Sequence, residues 1–185
     1  DTINIINEDA AWRNIFYGNP TETNKGFKWQ WGKYTSTLIN DYESVLSSVF
    51  SKESNDLRCF KDLCDQGNKP DGYETIVEKI KKIWTEVLPQ RELIIEKFEA
   101  KAKYKEELYK AGSMSDGERV CLYLISQCLI TPENHIIVID EPEIHLHTSI
   151  MKKLWDEIER YCPDKTFVYI THDLNFATSR KTAIK

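Results

Sequence analysis

Residues 115–171 hold four apolar segments whose periods alternate, and this alternation limits the fold more than any other feature of the chain. SDGERVCLYLISQCLI (115–130) is apolar nearly all round, the mark of a buried helix. HIIVID (135–140) is a continuous apolar run, the pattern of a strand covered on both faces. Residues 148–161 set Ile150, Met151, Leu154, Trp155, Ile158 and Tyr161 at helical spacing. TFVYIT (166–171) is a second buried strand. Helix, strand, helix, strand predicts an α/β fold with a parallel sheet.

The preceding residues read differently. GNPTETNKG (18–26) is turn and loop chemistry. Phe27, Trp29 and Trp31 alternate, as in a short strand with one aromatic face. From Tyr34 to Phe50, Leu38, Tyr42, Val45, Leu46, Val49 and Phe50 recur at helical spacing, and a polar stretch follows. QGNKPDG (66–72) breaks the pattern before a second helix over 73–88, which carries Ile76, Ile80, Ile83, Trp84 and Val87 and is ended by Pro89. RELIIEKFEAKA (91–102) has strand propensity, and KYKEELYKAG (103–112) also reads as strand. The expected organisation is a variable, helical subdomain over 1–90 and an α/β part over 91–185.

Composition narrows the class. Hydrophobic content of 41% and charged content of 30% over 185 residues are those of a globular protein of one domain or an unequal pair. A net charge of −5 gives no global attraction to nucleic acid or to an anionic membrane. Lys101, Lys103, Lys105 and Lys110 read as a solvated basic face. No run of 18 apolar residues predicts a membrane span, and DTINIINEDA has no signal-peptide pattern. The missing initial Met and the ending at KTAIK lead us to expect a piece of a longer protein. Five cysteines without a CxxC fit the reducing cytoplasm, with Cys121 and Cys128 as core residues.

Three tracts carry chemistry. The first strand ends in Asp140-Glu141, where an open parallel sheet places its ligands. One carboxylate there suffices to hold Mg²⁺ near phosphates, and its neighbour can orient a water for attack. SMSDGER (113–119) opens the buried helix: Ser115 and Glu118 form a capping box, and Gly117 leaves room for close approach to free N–H groups. VYITHD (168–173) ends the second strand in Thr171-His172, with Asp173 placed to cap a following helix. His145 and His147 form an H-x-H that with Glu143 or Cys162 has the residue types of a zinc site.

In this order and spacing, MSDGER, IIVIDE and THD resemble the signature, Walker B and switch motifs of an ABC-type ATPase head. The DEPExHLH form resembles the SMC/RecF-like branch and the OLD (overcoming lysogenization defect) nucleases most. The resemblance covers about residues 111–176, with Met114 standing for Leu and Asp116 for the first Gly of the signature. It implies a P-loop NTPase fold, ATP and Mg²⁺ as ligands, and a homodimer with ATP sandwiched between its subunits. It implies that Asp140 binds Mg²⁺ through water, that Glu141 is the general base and that His172 senses the γ-phosphate. Ser115, Asp116, Gly117 and Glu118 would face the nucleotide held by the opposite subunit. A C-terminal effector or DNA or RNA are the further partners it suggests, with no membrane.

The chain departs from the family in one respect: no G-x-x-x-x-G-K-[ST] occurs in it. We therefore expect the Walker A loop to lie upstream and this chain alone to be inactive. The alternatives are a non-hydrolysing regulatory domain and the ATPase subunit of a membrane transporter. DEPExHLH and the large motif-free region favour an ATPase of DNA metabolism or phage defence.

Overall fold

The computed structural model describes residues 42–180, apart from 69, 97, 98, 144 and 145. The Phe27, Trp29, Trp31 cluster, the start of the first helix and His145 lie outside the described residues.

Helix α1 (Tyr42–Asp65) was expected to stop near Phe50, but it continues for four further turns through the polar stretch. Residues 51–65 contain neither Pro nor Gly, and their polar side chains have work to do. Asp56 accepts the Ile76 N–H at 2.9 Å and Glu53 the Val77 N–H at 3.0 Å, so α1 caps the next helix from the side. The helix ends at a Schellman motif. The Asn68 N–H reaches the Leu63 carbonyl at 2.9 Å and the Gly67 N–H reaches that of Cys64 at 3.0 Å. Gly67 has φ +79°, which a side chain would resist.

Helix α2 (Ile76–Val87) starts at a Thr75–Glu78 capping box. It buries Ile76, Ile80, Ile83, Trp84 and Val87, the face expected from spacing, against α1 and its later neighbours. Residues 91–110 form an antiparallel meander of β1 (Glu92–Glu96), β2 (Glu99–Tyr104) and β3 (Glu107–Lys110). The stretch read as one segment, 91–102, is thus divided between two strands. Lys105, at φ +55°, makes the turn from β2 to β3. Leu93, Ile95, Ala100 and Ala102 face the core. On the outside, Glu99 pairs with Lys101 at 3.1 Å and Lys110 at 3.2 Å, so the basic face is partly neutralised.

A 3-10 turn (Ala111–Ser113) leads into α3 (Asp116–Ile130), β4 (Ile136–Asp140), α4 (Thr148–Tyr161), β5 (Thr166–Ile170) and α5 (Leu174–Ser179). Strands β4 and β5 pair in parallel, with Ile137 beside Phe167 and Asp140 beside Ile170. α2 is the hub: it touches α1, α3, α4 and β1, and one apolar cluster runs from Tyr42 to Phe176.

The two apolar strands were expected to be buried on both faces, and here the structure differs. Ile137, Ile139, Phe167 and Tyr169 face the core, with Tyr169 edge-on to both Trp155 and Phe176. The opposite face carries Val168 and Ile170, which are 42% and 51% exposed. Among the described residues the sheet has two strands, with helices against one side only. Among them also, no helix is long and apolar enough to cross a membrane.

The fully buried Trp84 fills the centre of the core and donates its Nε1–H to the Arg91 carbonyl at 2.8 Å. Trp84→Ala is expected to cost about 3–5 kcal/mol, read as a lowered urea midpoint. A loss of less than about 1 kcal/mol would contradict the place of α2 as the hub.

Candidate functional site

The sequence ends β4 abruptly. Glu141 adopts φ +53° and Pro142 has no N–H to continue a ladder. A left-handed residue that is not Gly costs about 1–2 kcal/mol, and the proline behind it restricts it further. The Glu141 N–H makes the last tie between the strands, to the Ile170 carbonyl at 2.7 Å. Trp155 anchors the turn by donating to the Pro142 carbonyl at 3.4 Å. The chain therefore turns away with both carboxylates on the rim. Asp140, Glu141 and His172 are all exposed at the carboxyl ends of two neighbouring parallel strands. Among the described residues no hydrogen bond or ion pair engages any of their three side chains. Such strain at an exposed acid points to use rather than to folding.

The start of α3 is built differently. The capping box is present: the Ser115 hydroxyl accepts the Glu118 N–H at 3.3 Å, and Glu118 accepts the Ser115 N–H at 2.7 Å. Glu118 does more than cap. Its buried carboxylate also accepts from Arg91 Nε at 2.8 Å, the Tyr109 hydroxyl at 2.7 Å and the Ser115 hydroxyl at 2.8 Å. Burial pushes this carboxyl up, but the hydrogen bonds from Tyr109, Ser115 and Arg91 outweigh it and hold it below its ordinary value. Burial and the Glu118 carboxylate together push the Tyr109 hydroxyl up to about 12. Arg91 also lies over the Tyr104 ring, 3.7 Å from its centroid. The meander thus grips the helix start through one carboxylate.

This network bears on what the helix end can bind. Among the described residues the N–H groups of Asp116 and Gly117 have no acceptor, so two donors of the first turn are free for an anion. The Ser115 hydroxyl is already given to Glu118 and must turn to meet a phosphate. Arg91 compensates Glu118, and Arg119 pairs with Asp116, so neither acid stands as bare negative charge at that end.

The structure brings Asp140, Glu141 and His172 to one edge, and Ser115, Asp116, Gly117 and Glu118 to one helix end. Among the described residues no hydrogen bond or ion pair joins the two groups. The sequence reasoning missed Arg91 and Tyr109, which carry no motif; only the structure shows that Glu118 needs a cation. The H-x-H candidate for zinc includes His145, which lies outside the described residues; among the described residues no cluster of three or more His, Cys, Asp or Glu suits a metal. His147 caps α4 by accepting the Ser149 N–H at 3.4 Å. Cys162 is buried against the Cys128 carbonyl, and Glu143 is engaged by Thr171.

A family model described as "AAA domain, putative AbiEii toxin, Type IV TA system" matches residues 28–178. ABC transporter A family member 4 of Dictyostelium discoideum is 36% identical over 66 residues, which are 35% of this chain and 4% of that protein. The chain thus spans a small part of this curated relative. Among solved structures, an Smc head bound to the C-terminal winged-helix domain of ScpA is similar at 24% identity and a TM-score of 0.47, over 56% of this chain and 36% of that one. A structure from work on ATP-driven dimerisation and DNA-stimulated activation of SMC ATPases has 21% identity and a TM-score of 0.48, over 60% and 74%. An Smc head domain with an extended coiled coil, bound to a ScpA domain derived from Pyrococcus furiosus, has 16% identity and a TM-score of 0.45, over 78% and 50%.

The lowered value of Glu118 gives a pH signature. A carboxyl depressed on folding contributes stability that is present above its unfolded value, about 4.3, and is lost as pH falls through its folded value. Glu118→Gln is expected to cost about 2 kcal/mol at pH 7 by leaving Arg91 and Tyr109 poorly matched. Denaturant titrations between pH 3 and pH 7 should also show a flatter acid limb for the variant. Parallel acid limbs would contradict the depressed carboxyl.

Proposed function

Because the chain belongs to this AAA-domain family of ABC-type ATPases, with its P-loop nucleotide-hydrolase fold, we propose that it is the signature, Walker B and switch half of an ATP-hydrolysing head. The observation that carries the reading is the parallel register of β4 and β5. Asp140 stands beside Ile170, so Glu141 and His172 leave the sheet at the same edge. A phosphate at that edge meets an acid for the metal, an acid for the water and an imidazole together.

Each residue then has a task. Asp140, exposed and without a partner among the described residues, has the hard oxygen donors that hold Mg²⁺ through water. Bound there, Mg²⁺ would supply positive charge against the phosphates. Glu141 takes a proton from the attacking water as its oxygen bonds to the γ-phosphorus. The bond from the γ-phosphorus to the bridging oxygen breaks, and ADP leaves with inorganic phosphate. His172 hydrogen-bonds a γ-phosphate oxygen.

The free N–H groups of Asp116 and Gly117, with Ser115, serve the γ-phosphate of a nucleotide on a second copy of the chain, while Glu118 keeps their helix start in shape. Within one chain no hydrogen bond or ion pair among the described residues joins this helix end to the Asp140 edge, so the sandwich calls on a second copy to bring them onto one nucleotide. Hydrolysis would then separate the two copies and drive a conformational change. We place the whole protein in the cytoplasm, in DNA metabolism or phage defence. The family description names a "putative AbiEii toxin" of a type IV toxin–antitoxin system. A C-terminal effector or nucleic acid is the further partner, and residues 1–90 form the variable part beside the motif-bearing 91–185.

The sequence contains no G-x-x-x-x-G-K-[ST], so these residues need a phosphate cradle from elsewhere. The same fact is what favours the second reading, a non-hydrolysing interaction domain.

Phosphate release by the full-length protein separates the two. Glu141→Gln is expected to lower kcat at least about 100-fold while an ATP-dependent dimer persists in light scattering. Unchanged turnover would remove Glu141 from the mechanism. The 185-residue chain alone is expected to release no phosphate above background, and robust hydrolysis by it would mean that its cradle has another form.

A further inference from the structure

Glu143 is the third acid of DEPE, and the roles above leave it without a task. The Thr171 hydroxyl lies 2.9 Å from its Oε1 and 2.8 Å from its Oε2, so one proton is shared between two carboxylate oxygens. The same hydroxyl accepts the Asp173 N–H at 3.0 Å. Asp173 in turn caps α5, accepting from Asn175 at 2.8 Å and Phe176 at 3.3 Å. A chain of hydrogen bonds thus runs from the loop after β4 into the first turn of α5, and His172 sits within it. Among the described residues no cation pairs with Glu143, which leaves Thr171 as its one side-chain donor.

The far end of this segment is fixed independently. Arg180, directly after α5, is buried and pairs with Asp156 at 2.7 Å and Glu159 at 3.0 Å, both on α4. Tyr169 holds the near end through its hydroxyl, which donates to Glu159 at 2.7 Å. Between these anchors, residues 171–173 depend on Glu143.

We propose that Glu143 is a positioning residue that, through the Thr171 hydroxyl, fixes where His172 stands relative to Glu141. Two ties set the relation of the loops. The Glu141 N–H holds the Ile170 carbonyl, and Glu143 holds the next residue, Thr171. One tie leaves the second loop free to rotate about it; two do not. The inference rests on the catalytic reading of Glu141 and His172.

The test uses the full-length protein carrying Glu143→Ala, Glu143→Gln, Thr171→Val, Thr171→Ser and the Glu143→Ala/Thr171→Val pair. Steady-state ATP hydrolysis is read together with hydrogen–deuterium exchange of the amides of residues 173–176 without nucleotide. Glu143→Ala and Thr171→Val are each expected to lower kcat about tenfold with KM for ATP within about twofold. The pair should be no worse than either single change, because both remove one bond. Thr171→Ser, which keeps the hydroxyl, should restore turnover, and Glu143→Gln should retain part of it. The Asp173 amide should exchange faster in Glu143→Ala. Multiplying losses in the pair, unchanged kcat in both singles, or unaltered exchange in Glu143→Ala would overturn the proposal. If the wild type hydrolyses no ATP, the catalytic reading fails, and the exchange result alone decides whether Glu143 holds the loop.

Discussion

The parallel pairing of β4 with β5 is the constraint on which the rest depends. Its register sets Asp140 beside Ile170, and every candidate catalytic group is one or two residues from that rung. A slip of one residue would turn one strand's set, Ile137 with Ile139 or Phe167 with Tyr169, away from the helices. The apolar core therefore fixes the polar edge. Tyr169 shows the coupling in one side chain: its ring packs on Trp155 and Phe176, and its hydroxyl meets Glu159.

The second polar centre is held by charge instead. Glu118 collects hydrogen bonds from Arg91, Tyr109 and Ser115, which join the meander to the start of α3. Removing any one partner leaves a buried group poorly matched, which is why such centres are rigid. The meander thereby sets the angle of a helix whose free N–H groups face outward. The two centres use unlike physics: strain and open carboxylates at one, a satisfied buried network at the other.

Much of this was legible in the sequence. Periodicity marked α2, α3 and α4, and S-x-x-E placed the cap at Ser115. The DE and TH tracts fell at strand ends because apolar runs stop where the sheet does. What was not legible depends on partners distant in sequence. The polar half of α1 looked like the end of a helix until Glu53 and Asp56 were seen capping α2. Arg91 lies two residues after Pro89 and carries no pattern, yet it compensates Glu118. The strands read as doubly covered because Val168 and Ile170 are apolar, and only the arrangement of the described helices shows which face is covered. The link from Glu143 to Thr171 spans 28 residues and has no spacing rule.

If ATP is hydrolysed at the β4–β5 edge, a bound nucleotide must put its terminal phosphate there. The most direct measurement is a crystal structure of the full-length protein with Mg²⁺ and a non-hydrolysable ATP analogue. The predicted result has Asp140 on a metal-bound water, His172 in hydrogen-bond reach of the γ-phosphate, and Ser115 with the Gly117 N–H of a second copy on its other side. A nucleotide bound away from the ends of β4 and β5, with Glu141 facing no phosphate, would contradict it.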